Sequence, residues 1–377
     1  MRPTQARIHQ DNLLHNLQQI RQRVGPSTAI CAAVKANAYG HGIEIVAPWL
    51  AAEGVEAFGA ATVAEAVELR RLKITAPVFL LGSLQTDELA EAIDADVDFF
   101  VWSFDDMEAL VQAARGRKKP ARVHIKVDTG MGRVGCAPHE TEELVRRVLH
   151  SLPLEWVGLC THFASSDGEG LVTVAQQMTK FTEVLASISA RGWTPRWIHA
   201  ANSGAILTQP ETYFNLVRPG IALYGYPHQE QAQFKPVMEL VSKVGFVKTV
   251  PKGTSLSYGS RYQTTTDTDV ATVPVGYGDG YRRIWSNRAE VWIGGRLHRV
   301  SGTVCMDQLL VDLGPQSGIR KGDPVVFFGP STPNRPIPTA QSLAELDGTI
   351  SYEVLCGISA RIPRVPVTSK TTVPPVL

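Results

Sequence analysis

The sequence predicts an α/β protein, an N-terminal (β/α)8 TIM barrel followed by a mainly β C-terminal domain. Three observations predict it. Between residues 29 and 217, eight short apolar runs that read as buried strands alternate with amphipathic helical segments, over about the length a (β/α)8 barrel needs. No Gly-rich phosphate loop follows the first of these strands, whereas a doubly wound sheet with the same alternation more often carries one. Beyond residue 237 the helical period stops, and β-rich runs separated by Gly-Asp, Gly-Gly and Pro-Lys-Gly turns take over.

Taken in order, residues 6–9 read as a short strand, free to pack with the C-terminal domain. Asp11 reads as the N-cap of a helix with Leu13, Leu14, Leu17 and Ile20 on one face, and Gly25-Pro26 stops it. The barrel strands fall at 29–34, 57–61, 78–81, 98–102, 123–127, 156–160, 197–200 and 216–217. Helical patterns between them include 63–71, 86–93, 105–115, 140–149 and 172–191. In the β-rich part, strands are expected at 240–249, 270–275, 290–293, 300–305, 308–311 and 325–328, with a helix at 339–346. The pattern changes within 226–234, which divides the chain into domains 1–228 and 229–377. The tail, 371–377, is expected to fray.

Composition sets bounds. The 377 residues are 44% hydrophobic and 19% charged with a net charge of +1, ordinary for a soluble globular protein. Nothing points to a nucleic-acid or membrane partner. The longest basic cluster is 115–119, and no stretch approaches a membrane span. The five cysteines are odd in number and fit no metal spacing, so no metal site is expected and a reducing compartment fits. The first ten residues are polar, without a signal-peptide core, so a cytoplasmic location is expected.

The chemistry gathers at the carboxyl ends of the barrel strands, where barrel enzymes keep their active sites. The run at 30–34 ends on Lys35, and Asn37, Gly40 and Gly42 then break regular structure into a loop. A lysine there either snorkels to solvent or, stripped of water, becomes a nucleophile near neutral pH. The second behaviour is what a Schiff base with pyridoxal 5'-phosphate (PLP) requires, and the Tyr39 hydroxyl can reach a phosphate oxygen. Other strand ends deliver Arg133, His162, Ser203 and Arg218 to the same face. Arg218-Pro219-Gly220-Ile221 follows the eighth strand, where barrels commonly bind phosphate, and the Gly220 and Ile221 amides can donate. Ser203 can add a hydroxyl, or cap a helix. Arg218, unless it serves a surface ion pair, donates to the cofactor's ring nitrogen without protonating it. That suits brief deprotonation and reprotonation at Cα. Arg133 can fork onto a carboxylate. Lys126 reads equally as a structural lysine, and His162 and His199 as core histidines or a hydrogen-bond relay. Tyr258 reads as a packed strand aromatic or as a base.

The uninterrupted string Ala32-Ala33-Val34-Lys35-Ala36-Asn37-Ala38-Tyr39-Gly40-His41-Gly42 resembles the PLP-lysine signature of alanine racemases, the fold-type III PLP enzymes. Further motifs follow in that family's order, from Lys35 to Arg364. The resemblance implies Lys35 and Tyr258 as two bases on opposite faces of the substrate, Lys35 for the D-enantiomer and Tyr258 for the L-enantiomer. It implies that His162 and His199 link Arg218 to Tyr258, and that Lys126 is carbamylated in many members to steady Arg133. In Cys305-Met306-Asp307-Gln308 the Met306 amide would meet the substrate carboxylate, with Asp307 in support; Tyr277 would stand near the site, and Tyr352 on the cofactor phosphate. The family's tyrosine comes from the partner subunit, which implies a head-to-tail homodimer with shared active sites. Thr303 stands where several members carry an arginine in the substrate corridor, while Asp167 and Arg283 keep two other corridor positions. The implied activity is interconversion of L- and D-alanine, with D-alanine supplied to peptidoglycan. A racemase of serine or several amino acids, a fold-type III amino-acid decarboxylase and a non-enzymatic PLP-binding barrel are the rivals. Arg218 argues against the decarboxylase, and the β domain with Tyr258 and Met306 against the binding barrel.

Overall fold

Ala6 and Ile8 point into the core while Gln5, Arg7 and His9 are half-buried, the alternation of a strand covered on one face. In the computed structural model, which describes residues 3–83, 85–117, 119–166, 171–228 and 233–369, this strand, β1 (Gln5–His9), does not join the barrel. It pairs antiparallel with Met238–Lys243 and parallel with Arg364–Val367, inside a sheet of the C-terminal half. The helix Gln10–Val24 follows without a connecting residue, so His9 occupies the cap position. Asp11, expected as the cap, sits in the first turn, where its charge favours the helix N-terminus.

The barrel strands are β2 (Ala29–Ala33), β3 (Ala57–Ala60), β4 (Val78–Leu80), β5 (Asp98–Val101), β6 (Ala121–Lys126), β7 (Leu154–Cys160), β8 (Trp197–His199) and β9 (Leu216–Val217). Each pairs in parallel with its neighbour in sequence through β8, and β9 returns to pair with β2. The ring closes between β8 and β9, where the Arg218 amide donates to the Ala201 carbonyl at 2.9 Å and the Asn215 amide to Ile198 at 3.4 Å. Buried on both faces, these strands are nearly continuous apolar runs. The polar residues that interrupt them therefore point to something other than water.

The C-terminal half is mainly β. Its six-stranded sheet runs Arg296–Arg299, Glu290–Ile293, Pro324–Phe328, Met238–Lys243, β1, Arg364–Val367. A three-stranded sheet joins Phe246–Val250, Thr268–Val273 and Leu309–Gly314. Two expectations are corrected here. The run at 240–249 is two strands in two different sheets, split at Val244-Gly245. Residues 300–305 form a loop after Val300, because their backbone groups turn to other partners: the Gly302 amide donates to Asn287 and the Val304 amide to the Ser286 hydroxyl. The expected helix runs Ala340–Asp347 with Thr339 as its cap, and a second, Ser351–Cys356, follows. One contiguous apolar core extends from the barrel into the β half. Among the described residues no helix is long and apolar enough to cross a membrane. The tail at 371–377 and residues 229–232 of the domain junction lie outside the described residues.

Candidate active site

Lys35 leaves β2 into a turn unlike the loop expected there. Ala36, Asn37, Ala38 and Tyr39 all have φ of 51–54°, one turn of left-handed helix without a glycine. Left-handed geometry costs an L-residue roughly 1–2 kcal/mol, so the surroundings must over-determine it. Asn37 Oδ1 accepts the Ile43 amide at 2.7 Å, and the buried His41 donates from Nδ1 to the Ala38 and Tyr39 carbonyls at 3.0 and 2.9 Å. Burial drops the His41 pKa to about 4, so it holds the turn as a neutral ring. Tyr39 stacks on Tyr224 at 4.8 Å, and Tyr224 donates to the Ala33 carbonyl at 2.9 Å.

The turn aims Lys35 into a cavity of about 210 Å³ at the carboxyl ends of the strands, which Arg133, His162, Ser203, Arg218 and Tyr352 also line. Burial lowers the Lys35 pKa, Arg133 lowers it further and Glu65 opposes. The strand-end residues expected to converge therefore do so around an amine whose charged form is destabilised.

Arg218 forms one wall. Its Nη1 donates to His199 Nδ1; its Nη2 donates to the Thr161 and Ala200 carbonyls at 2.8 and 3.1 Å and to His162 Nδ1 at 3.2 Å. Nε forms no hydrogen bond among the described residues. Burial and the Arg218 charge hold both histidines well below the usual imidazole range, so they are neutral acceptors. Cys31 and Cys160 lie close by; burial pushes their thiols up to about 12 and about 11, which leaves them protonated and inert.

Another part of the lining is built of hydroxyls and amides. Ser203 Oγ accepts the Gly220 and Ala222 amides at 2.9 and 3.3 Å, tying the loop after β9 to the helix Ser203–Thr208. The cap of that helix is Asn202, whose Oδ1 accepts the Ala205 amide, so the alternative of Ser203 as cap is corrected. A Cβ on Gly220 would lie 2.3 Å from the Tyr39 hydroxyl, so only glycine lets this loop and the phenol meet. Lys126 ends β6 with its amine donating to the Val134 carbonyl at 2.5 Å, and burial lowers its pKa. Arg133, on the loop after β6, lines the cavity mouth and forms no ion pair among the described residues.

A lysine of lowered pKa, a guanidinium whose Nε forms no hydrogen bond among the described residues and a lining of hydroxyls and amides fit the aldehyde, ring nitrogen and phosphate of PLP.

Residues 8–228 match the model for "Alanine racemase, N-terminal domain" and residues 237–366 that for "Alanine racemase, C-terminal domain". The chain belongs to the alanine racemase family. It is 40% identical to an alanine racemase of Treponema denticola over 97% of this chain and 98% of that one. It superposes on an alanine racemase of Clostridium difficile 630 with a TM-score of 0.93 at 35% identity, covering 98% and 97% of the two chains. The alanine racemase of the D-cycloserine producer Streptomyces lavendulae gives 0.92 at 37% identity, over 97% of each. Alanine racemases depend on PLP, and the cavity around Lys35 is where this chain would hold it.

Several residues expected in an alanine racemase site are not brought to Lys35 within one chain. Tyr258 is 74% exposed and lines a separate crevice with Ser257, Cys305 and Leu309. Its carbonyl accepts from Thr303 Oγ1 at 2.8 Å, and the preceding Ser257 is held at φ 62° with its hydroxyl on the Thr303 carbonyl at 2.5 Å. Met306 and Tyr277 are exposed, and the Tyr277 amide donates to the Cys305 carbonyl at 2.9 Å. Asp307 pairs with Arg361 at 2.7 Å. Arg283 lies on the short helical turn Arg283–Trp285, outside the cavity, and Asp167 is outside the described residues. Sequence reasoning missed Asp98, Arg122 and His124. For the two on β6 the signal was available: residues 122, 124 and 126 alternate polar with apolar along that strand, which puts their side chains on its inner face.

Proposed function

We propose that this chain interconverts L- and D-alanine by a two-base mechanism, with Lys35 on one face of the substrate and Tyr258 of the partner subunit on the other. The observation that carries the reading is the convergence of a desolvated lysine, Arg133 and Arg218 in one cavity at the carboxyl face of the barrel, in a chain of this family. PLP, when bound, acidifies the α-proton of an amino acid joined to it. The chain's own groups do the rest. Lys35 Nζ, its charged form disfavoured by burial, takes or returns the proton on one face. Arg133 forks onto the substrate carboxylate, steadied by Lys126, whose charged form burial disfavours, the direction carbamylation needs. Tyr39, Ser203, Tyr352 and the Gly220-Ile221 loop hold the phosphate. Arg218 donates to the ring nitrogen and also to His162 Nδ1, which leaves the His162 proton on Nε2 for the tyrosine base.

The dimer is part of the proposal. Tyr258, Tyr277 and Met306 adjoin through the 303–306 segment and are exposed, as groups awaiting a partner would be. A head-to-tail pair would bring this surface over the partner's barrel mouth, with the division between domains after residue 228. We place the protein in the cytoplasm, supplying D-alanine for peptidoglycan. The test is to incubate the purified protein with PLP and L-alanine in deuterium oxide and to follow D-alanine and α-deuteration by chiral chromatography and mass spectrometry. Racemisation of alanine ahead of serine is expected. Release of carbon dioxide, or no turnover of any amino acid in a substrate panel, would overturn the reading. Borohydride reduction should fix the cofactor on Lys35, and Lys35→Ala should abolish that label.

A further inference from the structure

A line of buried polar side chains runs through the barrel interior, away from the cavity. His199 Nε2 meets His124 Nδ1 at 2.9 Å; His124 Nε2 faces Asp98 Oδ2 at 3.5 Å and makes no hydrogen bond among the described residues. The other oxygen of Asp98 accepts from Arg122 Nε at 2.6 Å, and Arg122 Nη1 reaches Asp96 at 2.9 Å. Both histidines are fully buried. The His124 ring lies parallel to Phe100, 4° off, with centroids 5.1 Å apart, and 4.4 Å from Phe79.

Donor and acceptor rules give this line a direction. A guanidinium only donates, so His199 Nδ1, which takes the Arg218 bond, carries no proton. Neutral His199 then holds its proton on Nε2 and donates to His124 Nδ1. That leaves the His124 proton on Nε2, pointing at the Asp98 carboxylate. Each link is compatible with only one tautomer of the next. The Arg218 guanidinium has no carboxylate in contact among the described residues, and the carboxylate at the far end of its line is Asp98, which His124 Nε2 faces at 3.5 Å.

We infer that Asp98 and His124 are positioning residues of the cofactor site: they fix the tautomer of His199 and, through it, the hydrogen bond that aims Arg218 at the cofactor ring nitrogen. The inference rests on the reading that Arg218 serves that nitrogen. Arg122 makes the device testable. Because it too only donates, in Asp98→Asn it would claim the amide oxygen and turn the NH2 toward His124 Nε2. His124 would then carry its proton on Nδ1, His199 on Nδ1 as well, and that N–H would oppose the Arg218 donor. His124→Phe, by contrast, keeps the aromatic stack and deletes the line without reversing it.

The experiment compares full-length wild type, D98N and H124F. Nitrogen-15 NMR of histidine-labelled protein should show both wild-type rings protonated on Nε2, and D98N should move the proton of His199 to Nδ1. In the PLP-loaded proteins, D98N should lower kcat roughly 100-fold with KM little changed, short of the ~10⁴-fold seen when a serine-protease triad Asp becomes Asn beside the reacting histidine. It should also shift the ring-nitrogen resonance of nitrogen-15 PLP. H124F should cost only about 5-fold, as for one lost neutral hydrogen bond. A packing role predicts the reverse order, because Asp→Asn is isosteric and His→Phe is not. Either wild-type ring protonated on Nδ1, or a folded D98N within twofold of wild type, overturns the inference. If D98N does not fold, the wild-type tautomers decide. Those tautomers are read without turnover, so a protein that failed to racemise alanine would sink the functional reading separately.

Discussion

Gly158 sits on β7 directly against the His124 ring. A Cβ there would lie 1.9 Å from His124 Nδ1 and 2.6 Å from Cγ and Cε1. The Gly158 backbone is not left-handed, so Gly158→Ala adds no backbone strain, and in a strand the loss of glycine's freedom is favourable by roughly 0.5–1 kcal/mol. The whole penalty is therefore steric. The ring cannot retreat, because Phe79, Phe100 and His199 enclose it and its exposure is zero. Overpacking of this kind costs about 1–3 kcal/mol, and displacing the ring strands the buried His199 N–H for about 1–3 kcal/mol more. The sum, about 1–5.5 kcal/mol after the backbone gain, is a sizeable part of an ordinary 5–15 kcal/mol stability. Urea unfolding at fixed protein and cofactor concentration would measure it. His124→Ala in the same chain should relieve the clash, so the double variant should be at least about 1 kcal/mol more stable than the two single effects predict. A Gly158→Ala protein within about 0.5 kcal/mol of wild type, the scatter of a neutral surface change, would refute the close packing argued for the barrel interior.

Three further outcomes follow from the same geometry. Arg133→Ala should lower kcat/KM for alanine by about 10–100-fold, the loss of a charge-assisted hydrogen bond worth about 1.5–3 kcal/mol, with cofactor absorbance unchanged. Glu239 is buried, which pushes its carboxyl up, but His9 at 3.6 Å and the charges of Arg335 and Arg7 pull it down, and the net pKa is lowered. Its contribution is therefore present above the unfolded value of ~4.3 and lost as pH falls through the lower folded value, so the stability gap between wild type and Glu239→Gln should shrink between about pH 5 and pH 3 in denaturant titrations. Thr62→Ala removes the capping box with Glu65 on the helix Val63–Arg71 and should cost about 1 kcal/mol in the same assay.

Much of the fold could be read from the sequence because buried parallel strands leave plain apolar runs. The helix Val63–Arg71 and the strands Leu216–Val217 and Glu290–Ile293 fall at the expected residues. What escaped was set by long-range partners. The edge strand Arg364–Val367 carries Pro366 and is ordered by pairing with β1, hundreds of residues away. Residues 300–305 have strand-like composition, yet their amides are taken by Ser286 and Asn287. In the site, Lys35, His162, Ser203 and Arg218 were legible as strand-end polar groups. The left-handed turn was not, because Ala-Asn-Ala-Tyr carries no glycine to announce four residues at positive φ. Nor was the line from His199 to Asp98, since alternation places His124 inside the barrel without saying which ring it meets.

The most direct measurement is complementation between two inactive variants. Lys35→Ala and Tyr258→Phe, purified separately, should each lose nearly all racemase activity. Co-expressed with different tags and isolated as the mixed dimer, they should regain about half the wild-type activity per dimer, because one of two symmetric sites then combines an intact lysine with an intact tyrosine. A mixed dimer as inactive as its parents, or a fully active Tyr258→Phe homodimer, would contradict catalysis by two bases drawn from two chains.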